Sequence, residues 1–521
     1  MALINIGSAS AARPIRAWLR KSVAPAVGMA LSADRATAVF ATVNASFSVR
    51  LADGESVAAV LAAVEDSGRL VWTTDGSGTA LAFARRAGVN VDRLAFISCL
   101  QTLRYVLEPG TEPVAPKRVP AAHSAALFAA EEAARLNGAH GRSERLVALQ
   151  SVAHDKSWRP RMQVGTSVDG AFIAAEGGRM EAERVRFLDL LGTDLTQDTE
   201  PSHQWLFRRG IRLTDANGQP SLSRDFYDTV LVPDGMESDW AVFLKVRTVG
   251  RWLQKLRELN RFSIDGRVFS RYTTHGTTTG RSTSTKPALQ NISGDLRRVL
   301  TASPGNALVS LDLSACEPTV AAALSGDTQM IADLAAGDIY TMLAQQQYGT
   351  DALASHPGCR TLFKVLLIAD LYGRSAGSAA LSLSISLAEA EAIRARMRAR
   401  WPVLHAWIAA NRAAAERGEA LPTADGRQVS VPKGKAYAAT CYLVQSTAAT
   451  LIFQRGVDRV VARLGSHTLL LGVHDELVLE VKDNDRVIAD ALSVLEECMP
   501  TVLNGVHITG TAQHLGTMWA K

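Results

Sequence analysis

The sequence predicts an α+β protein of several domains, and three observations carry that expectation. At 521 residues the chain is too long for one hydrophobic core. Short apolar runs alternate with helical stretches towards both ends, while the middle reads mainly as helix. Between the first alternating region and the helical one lies Pro109-Gly-Thr-Glu-Pro-Val-Ala-Pro116-Lys-Arg-Val-Pro120, which can hold neither a helix nor a central strand.

Residues 1–108 place the runs Val27–Leu31, Ala38–Phe40 and Phe47–Leu51 among helical stretches at Val57–Val64 and Thr79–Ala87, the pattern of a small α/β domain. Beyond the linker, Ala121–Leu136 is alanine-rich and suits a helix. Trp240–Leu259 carries Val249, Leu253 and Leu256 on one stripe, and Arg247, Arg251 and Lys255 step by four along it. That basic face suits phosphate contacts or simple solvation equally well. From 262 onward strands and helices alternate, with no internal repeat.

Hydrophobic content of 47% and charged content of 21% are ordinary for a soluble domain protein. The net charge of +5 leans weakly towards an anionic partner. Five cysteines without CxxC spacing argue against a disulfide framework or structural zinc and fit a reducing compartment. No apolar run approaches the roughly 18 residues of a membrane span, so no membrane partner is expected. Arg13, Arg16, Arg20 and Lys21 precede the first acid, Asp34. A folded strand followed by a basic helix is the expectation there, an organelle transit peptide the alternative.

The chemistry gathers in three later segments. Asp312 closes the apolar run Ala307–Leu311, and Ser314 and Glu317 after it have capping-box spacing for the next helix. Arg360, Lys364, Ile368 and Tyr372 step by four and lie along one side of a helix, with about 40° of drift per step and roughly 120° over the three. Two cations, an apolar side chain and an aromatic on one face suit a polyphosphate and a sugar or base. Gly373 should end that helix. Finally, His474-Asp475-Glu476 forms a polar tip between two apolar strands, Leu469–Val473 and Leu477–Val481, in a hairpin arrangement. Each segment alone also has a structural explanation: a helix cap, a solvated stripe, a tight turn. Together, two strand-end carboxylates and a cationic helix point to metal-assisted nucleotidyl transfer.

The order and spacing resemble the polymerase region of family A DNA polymerases, the group that includes bacterial DNA polymerase I and many phage replicases. Asp312-Leu-Ser-Ala-Cys-Glu317 resembles motif A, Arg360-x3-Lys364-x7-Tyr372-Gly373 motif B, and Val473-His-Asp-Glu-Leu477 motif C. Thr279-Gly-Arg281-Ser-Thr-Ser284 and Leu289-Gln290-Asn291-Ile292 precede motif A. Trp401-Pro402, Gly426-Arg427, Val444-Gln445-Ser-Thr-Ala-Ala449 and Gly516-Thr-Met-Trp519 follow motif B in the family's order.

The resemblance implies a right-hand polymerase of palm, fingers and thumb behind an N-terminal degenerate, RNase H-like exonuclease α/β domain. The implied divisions are 1–115 exonuclease-like, 116–261 helical linker and thumb, 262–324 and 426–521 palm, and 325–425 fingers. It implies template-directed DNA synthesis from primer-template DNA and dNTPs by a monomer. Two Mg2+ ions, or Mn2+, would be held by Asp312, Asp475 and the Leu313 carbonyl. Glu476 would be a supporting acid beside the primer terminus, with His474 next to it. Arg360 and Lys364 would bind the triphosphate, with Lys364 protonating pyrophosphate, and Ile368 and Tyr372 would meet the sugar and the nascent pair. Glu317 would exclude the 2′-hydroxyl. Arg281, Gln290, Asn291 and Gln445 would contact DNA, as would Arg247, Arg251 and Lys255.

Three departures stand out. The family normally has Phe or Tyr where this chain has Ile368, and polar residues where it has Tyr437 and Cys441. The strand assigned to the exonuclease D-x-E motif, Leu3-Ile-Asn5-Ile-Gly7, has no carboxylate, which leaves Asp75 as the one nearby remnant. No 5′-nuclease domain is expected ahead of it. A bacterial or phage-infected cytoplasm is the expected location, an organelle the alternative, and any replisome partners stay unnamed. A single-subunit RNA polymerase and a polymerase-like DNA-binding scaffold are the competing functions. Glu476 and Glu317 favour DNA over RNA synthesis, and intact acids and cations favour catalysis over scaffolding.

Overall fold

The computed structural model describes residues 156–520 apart from 215–218, 224–226, 228–231, 234, 293 and 384, and from the first 155 residues chiefly the strands and helices within 3–99. The proline-rich linker, the basic run Arg13–Lys21 and Asp75 lie outside the described residues.

Six strands near the N-terminus form one sheet in the order Leu3–Ile6, Ser46–Arg50, Thr37–Ala41, Val27–Leu31, Val71–Thr73, Ile97–Cys99. Val27 to Arg50 is an antiparallel meander, and Val71–Thr73 and Ile97–Cys99 join it in parallel through the helices Gly54–Ser67 and Gly76–Ala87. Val27, Met29 and Phe40 share a core with Val60, Leu61, Val64 and Phe83 of those helices. On the other face helical Ala126, Ala129, Ala130 and Ala133 are buried. Only a glycine permits that approach: a Cβ on Gly28 would sit 1.6 Å from the Ala126 carbonyl oxygen.

Val27–Leu31 lies between the meander and the parallel strands, whereas Leu3–Ile6, the strand singled out from sequence, pairs in parallel at the edge with Ser46–Arg50. A four-residue apolar run cannot reveal which neighbour it will pair with.

Arg159 joins this domain to the rest of the chain. Its guanidinium is buried and donates to the Leu94 and Ile97 carbonyls at 3.1 and 2.8 Å. Next come two long packed helices, Gly170–Leu191 and Glu237–Phe262. The second buries Val249, Leu253 and Leu256 as its stripe requires. Between them the chain builds a small core around Trp205, Leu206, Leu222 and Phe243.

The sheet that positions the site is antiparallel, in the order Leu469–Val473, Glu476–Lys482, Asn306–Leu313, Gly510–Gly516. Helix Asp485–Cys498 packs on it through Ile488, Ala491, Val494 and Leu495. A helical layer from Thr328 to Glu416 is tied together by two buried carboxylates, of which Asp370 lies on helix Cys359–Leu371 and Asp333 on helix Thr328–Ala335. Asp370 pairs with Arg394 at 2.6 Å, and Asp333 takes Arg400 at 2.6 Å and the Trp401 indole at 2.8 Å.

One long helix, Ala436–Leu464, has the length and hydropathy of a membrane span, although Thr, Ser and Gln interrupt its apolar run and hide it in the sequence. Its apolar window is 61% buried inside the protein, so it is a core helix here. The capping box expected at Ser314 and Glu317 does not form. Helix Cys316–Ser325 begins after Ala315 at φ 45° without a side-chain cap, because the Glu317 carboxyl turns to Arg281 and Tyr372 instead.

Buried Arg161 ties this antiparallel sheet to the chain before it, donating to Glu480 and Leu469 at 2.7 Å each and to the Gly165 carbonyl at 3.0 Å. Burial alone would push the Glu480 carboxyl up. Arg161, with hydrogen bonds from Ser303 and Asn306, outweighs it and holds the group down at about 2. A carboxylate depressed in the folded state stabilises fully above its unfolded value of 4.5 and loses that contribution as pH falls towards about 2. At about 1.4 kcal/mol per unit the span is on the order of 3 kcal/mol. Glu480→Gln should therefore cost about 3–5 kcal/mol at pH 7, since it leaves Arg161 buried without its counter-charge. It should also flatten the loss of stability between about pH 4.5 and 2. Urea unfolding across that range checks this, and an acid limb as steep as wild type would refute it.

Candidate active site

Asn306–Leu313 is apolar on both faces because strands flank it and helices cover it, which leaves its end as the place for a charged side chain. Burial ceases at Asp312, which is exposed. In register, Asp312 stands opposite Glu476. The neighbouring hairpin closes on the pair Val473 and Glu476, so His474 and Asp475 form a two-residue turn. His474 has φ 56°, a positive value that non-glycine residues rarely adopt and that the tight turn imposes. The Leu313 N–H then donates to the Asp475 carbonyl at 3.2 Å, which locks the tip of the hairpin against the end of the central strand.

Asp312, Leu313 and Asp475 line one side of a cleft of about 1400 Å³, together with Glu317, His474 and Glu476. Arg360, Lys364, Ile368 and Tyr372 line it from helix Cys359–Leu371, all four on the face their spacing predicts. The helix stops at Leu371, and Gly373 at φ 68° turns the chain away. A Cβ there would fall 2.0 Å from the Tyr437 carbonyl oxygen, so this turn needs glycine for space as well as for φ.

Burial, with the like charge of Asp312 second, pushes Asp475 up to about 6. Two acids arranged to repel one another in a cleft are a site for a cation. Burial also lifts the Glu317 carboxyl, against the pull of Arg281 and Lys364. It lowers His474, with help from Arg281 and Arg297, and pushes the Cys441 thiol up to about 12.

Every arginine in the cleft has an acidic partner. Arg281 pairs with Glu317, which also accepts from the Tyr372 hydroxyl. Gln445 donates to that hydroxyl at 3.1 Å. Arg360 pairs with Asp338 at 2.7 Å and lies 5.4 Å above the Tyr340 ring. Arg297 lies 3.5 Å from Glu476.

Other residues singled out from sequence lie elsewhere. Gln290 sits behind the hairpin and donates to the Gly472 carbonyl at 2.7 Å, with exposed Asn291 beside it. The basic helix face is divided. Arg247 turns inward to the Thr196 and Leu222 carbonyls at 2.9 and 3.2 Å. Lys255 joins Glu258 at 2.5 Å, and Arg251 stays exposed beside Thr248. Sequence reasoning missed Tyr340, Asp338 and Arg297. Asp338 carries the one usable signal, as the N-cap of helix Ile339–Tyr348.

Among the described residues no group of three or more His, Cys, Asp or Glu side chains forms a metal cage. A cage is not what a Mg2+ site of this kind uses: one or two carboxylates hold the ion while water and substrate phosphates complete the shell. Asp312, Asp475 and the Leu313 carbonyl fit that donor set.

The family model for DNA polymerase family A matches residues 239–521, which contain every cleft residue named above. The thermostable DNA polymerase I of Thermus thermophilus is 32% identical over 371 residues, 62% of this chain and 44% of that protein. That of Thermus aquaticus is 30% identical over 375 residues, 63% of this chain and 45% of its own length. The chain thus spans less than half the length of these curated relatives. Among solved structures, the POL domain of Pol1 from M. smegmatis in complex with DNA primer-template and dNTP shares the fold. It has a TM-score of 0.77 at 18% identity and covers 96% of this chain and 98% of that one. A model matched over more than half of the chain, across the whole of the cleft just described, makes this protein a member of DNA polymerase family A.

Proposed function

We propose that the protein is a template-directed DNA polymerase that extends a primer 3′-hydroxyl with dNTPs. The observation that carries this reading is the opposition across one cleft of Asp312 and Asp475 to Arg360 and Lys364. Acids for divalent cations and a helix for a triphosphate face each other, as phosphoryl transfer requires. Family membership supports it, and so does the M. smegmatis POL domain of the same fold, which was solved in complex with primer-template and dNTP.

When bound, two magnesium ions would lower the pKa of the primer 3′-hydroxyl and neutralise charge on the departing pyrophosphate. Asp312, Asp475 and the Leu313 carbonyl would hold them. Arg360 and Lys364 would take the triphosphate, and Lys364 would protonate the departing pyrophosphate. Because Arg360 is paired with Asp338, phosphate binding there exchanges one anion for another. Glu317 would stand against a 2′-hydroxyl, and Ile368 against the sugar. Arg281 and Gln445 would reach the minor groove, where acceptors common to all base pairs report geometry rather than sequence.

For the N-terminal domain we propose a degenerate exonuclease fold acting as scaffold. Its meander with parallel strands on one side supports this, as does a central strand, Val27-Gly-Met-Ala-Leu31, without a carboxylate to hold metal.

On a primer-template with Mg2+, wild type should incorporate dNTPs well ahead of rNTPs. Asp475→Asn should cut extension by more than about 100-fold while primer-template affinity holds. Preference for rNTPs would favour the RNA polymerase reading, and no extension by wild type the scaffold reading. Ile368→Tyr should change the choice between dideoxy- and deoxynucleotides in single-turnover assays, and unaltered selectivity would remove Ile368 from the sugar pocket. The 3′ end of single-stranded DNA should survive incubation with Mg2+; shortening that is lost on Asp75→Ala would restore proofreading to this domain.

A further inference from the structure

Glu476 stands opposite Asp312 in register and directly follows Asp475 in sequence, yet its side chain is 5% exposed. An acid in that position needs something to fix its orientation. Two side chains address its two oxygens. The Trp519 indole N–H donates to Oε1 at 3.2 Å, and Arg297 Nη1 lies 3.5 Å from Oε2. The Arg297 guanidinium in turn lies 4.3 Å above the Trp519 ring. Trp519 is 0% exposed and its backbone is pinned. The Ala302 N–H donates to the Thr517 carbonyl and the Trp519 N–H to the Leu300 carbonyl, at 2.9 Å each. Gly516, at φ 72°, releases this segment from the strand that pairs with Asp312.

We infer that Trp519 and Arg297 are positioning residues that hold the Glu476 carboxylate towards Asp312 and Asp475, and so set how tightly the cleft binds a divalent cation. The inference rests on the metal-site reading of that cleft. Neither residue touches the cation; both act through Glu476. A packing role alone would need the bulk of the tryptophan but not its N–H or the stacked arginine. Partners that orient a carboxylate in a metal site typically change affinity by 10–100-fold.

The test is titration of the full chain with Mn2+, without DNA or nucleotide, followed by the EPR signal of the free ion. Trp519→Phe and Arg297→Gln should each weaken Mn2+ binding by about 10-fold. In a Glu476→Gln background both effects should vanish, whereas a loss of packing would lower Tm in either background. Primer extension should show the same dependence, a higher Mg2+ requirement with kcat at saturating Mg2+ nearly kept. Mn2+ affinity equal to wild type in either folded variant, or an equal loss with and without Glu476, overturns the inference. Should Trp519→Phe fail to fold, Arg297→Gln on the half-buried partner still decides it. Wild type that binds no Mn2+ overturns the metal-site reading and this inference together. Wild type that binds Mn2+ with Trp519→Phe binding equally well overturns this inference alone.

Discussion

The register of one strand pair governs the rest. Asn306–Leu313 meets Glu476–Lys482 so that Asp312 faces Glu476, and the Leu313 N–H then reaches the Asp475 carbonyl. Side chains alternate across a sheet, so a slip of one residue would turn Asp312 into the core and Leu311 or Leu313 into the cleft. Because the strand is buried on both faces, its apolar side chains would tolerate that slip; the charge at its end would not, since Asp312 is exposed and would have to be buried. The cost of burying that carboxylate, with the Leu313 contact to the hairpin tip, thereby fixes where the two acids stand.

Charge organises the cleft around that pair. Asp475 is raised by burial and by Asp312, while Arg281, Arg297 and Arg360 are each matched with a carboxylate at the rim. Binding a polyphosphate in such a place is therefore an exchange of anions rather than the filling of a bare positive site. Exchange weakens absolute affinity and sharpens discrimination, because a ligand must supply its charge where Asp338 or Glu317 had supplied it.

Local periodicity made some of this legible in the sequence. Four-residue steps placed Arg360, Lys364, Ile368 and Tyr372 on one face, and they do share the cleft. Short bounded apolar runs marked the strands Asn306–Leu313 and Leu469–Val473, beside whose ends Asp312 and His474 lie. Long-range geometry stayed hidden. Capping-box spacing at Ser314 and Glu317 carried no information about Arg281, which competes for the same carboxyl from 36 residues away. The stripe Arg247, Arg251, Lys255 had the right period, but carbonyls of a loop not visible from that helix drew Arg247 inward. Arg297 and Trp519 lie on separate segments and meet only because one strand pairing returns the chain to Leu300.

The same competition explains why Glu317 is worth more than its position suggests. Gln445 donates to Tyr372, Tyr372 to Glu317, and Arg281 to Glu317 as well, so one chain of hydrogen bonds joins helix Ala436–Leu464, the end of helix Cys359–Leu371, the start of helix Cys316–Ser325 and the segment that carries Arg281. Tyr372 is the residue at which helix Cys359–Leu371 ends, and Gly373 behind it leaves no room for a side chain against the Tyr437 carbonyl. Burial already disfavours the charged form of the Glu317 carboxyl, so the Tyr372 and Arg281 donors are what offset its desolvation. One acid thereby ties the end of helix Cys359–Leu371 to the segment that carries Arg281, two parts of the chain 91 positions apart at Arg281 and Tyr372.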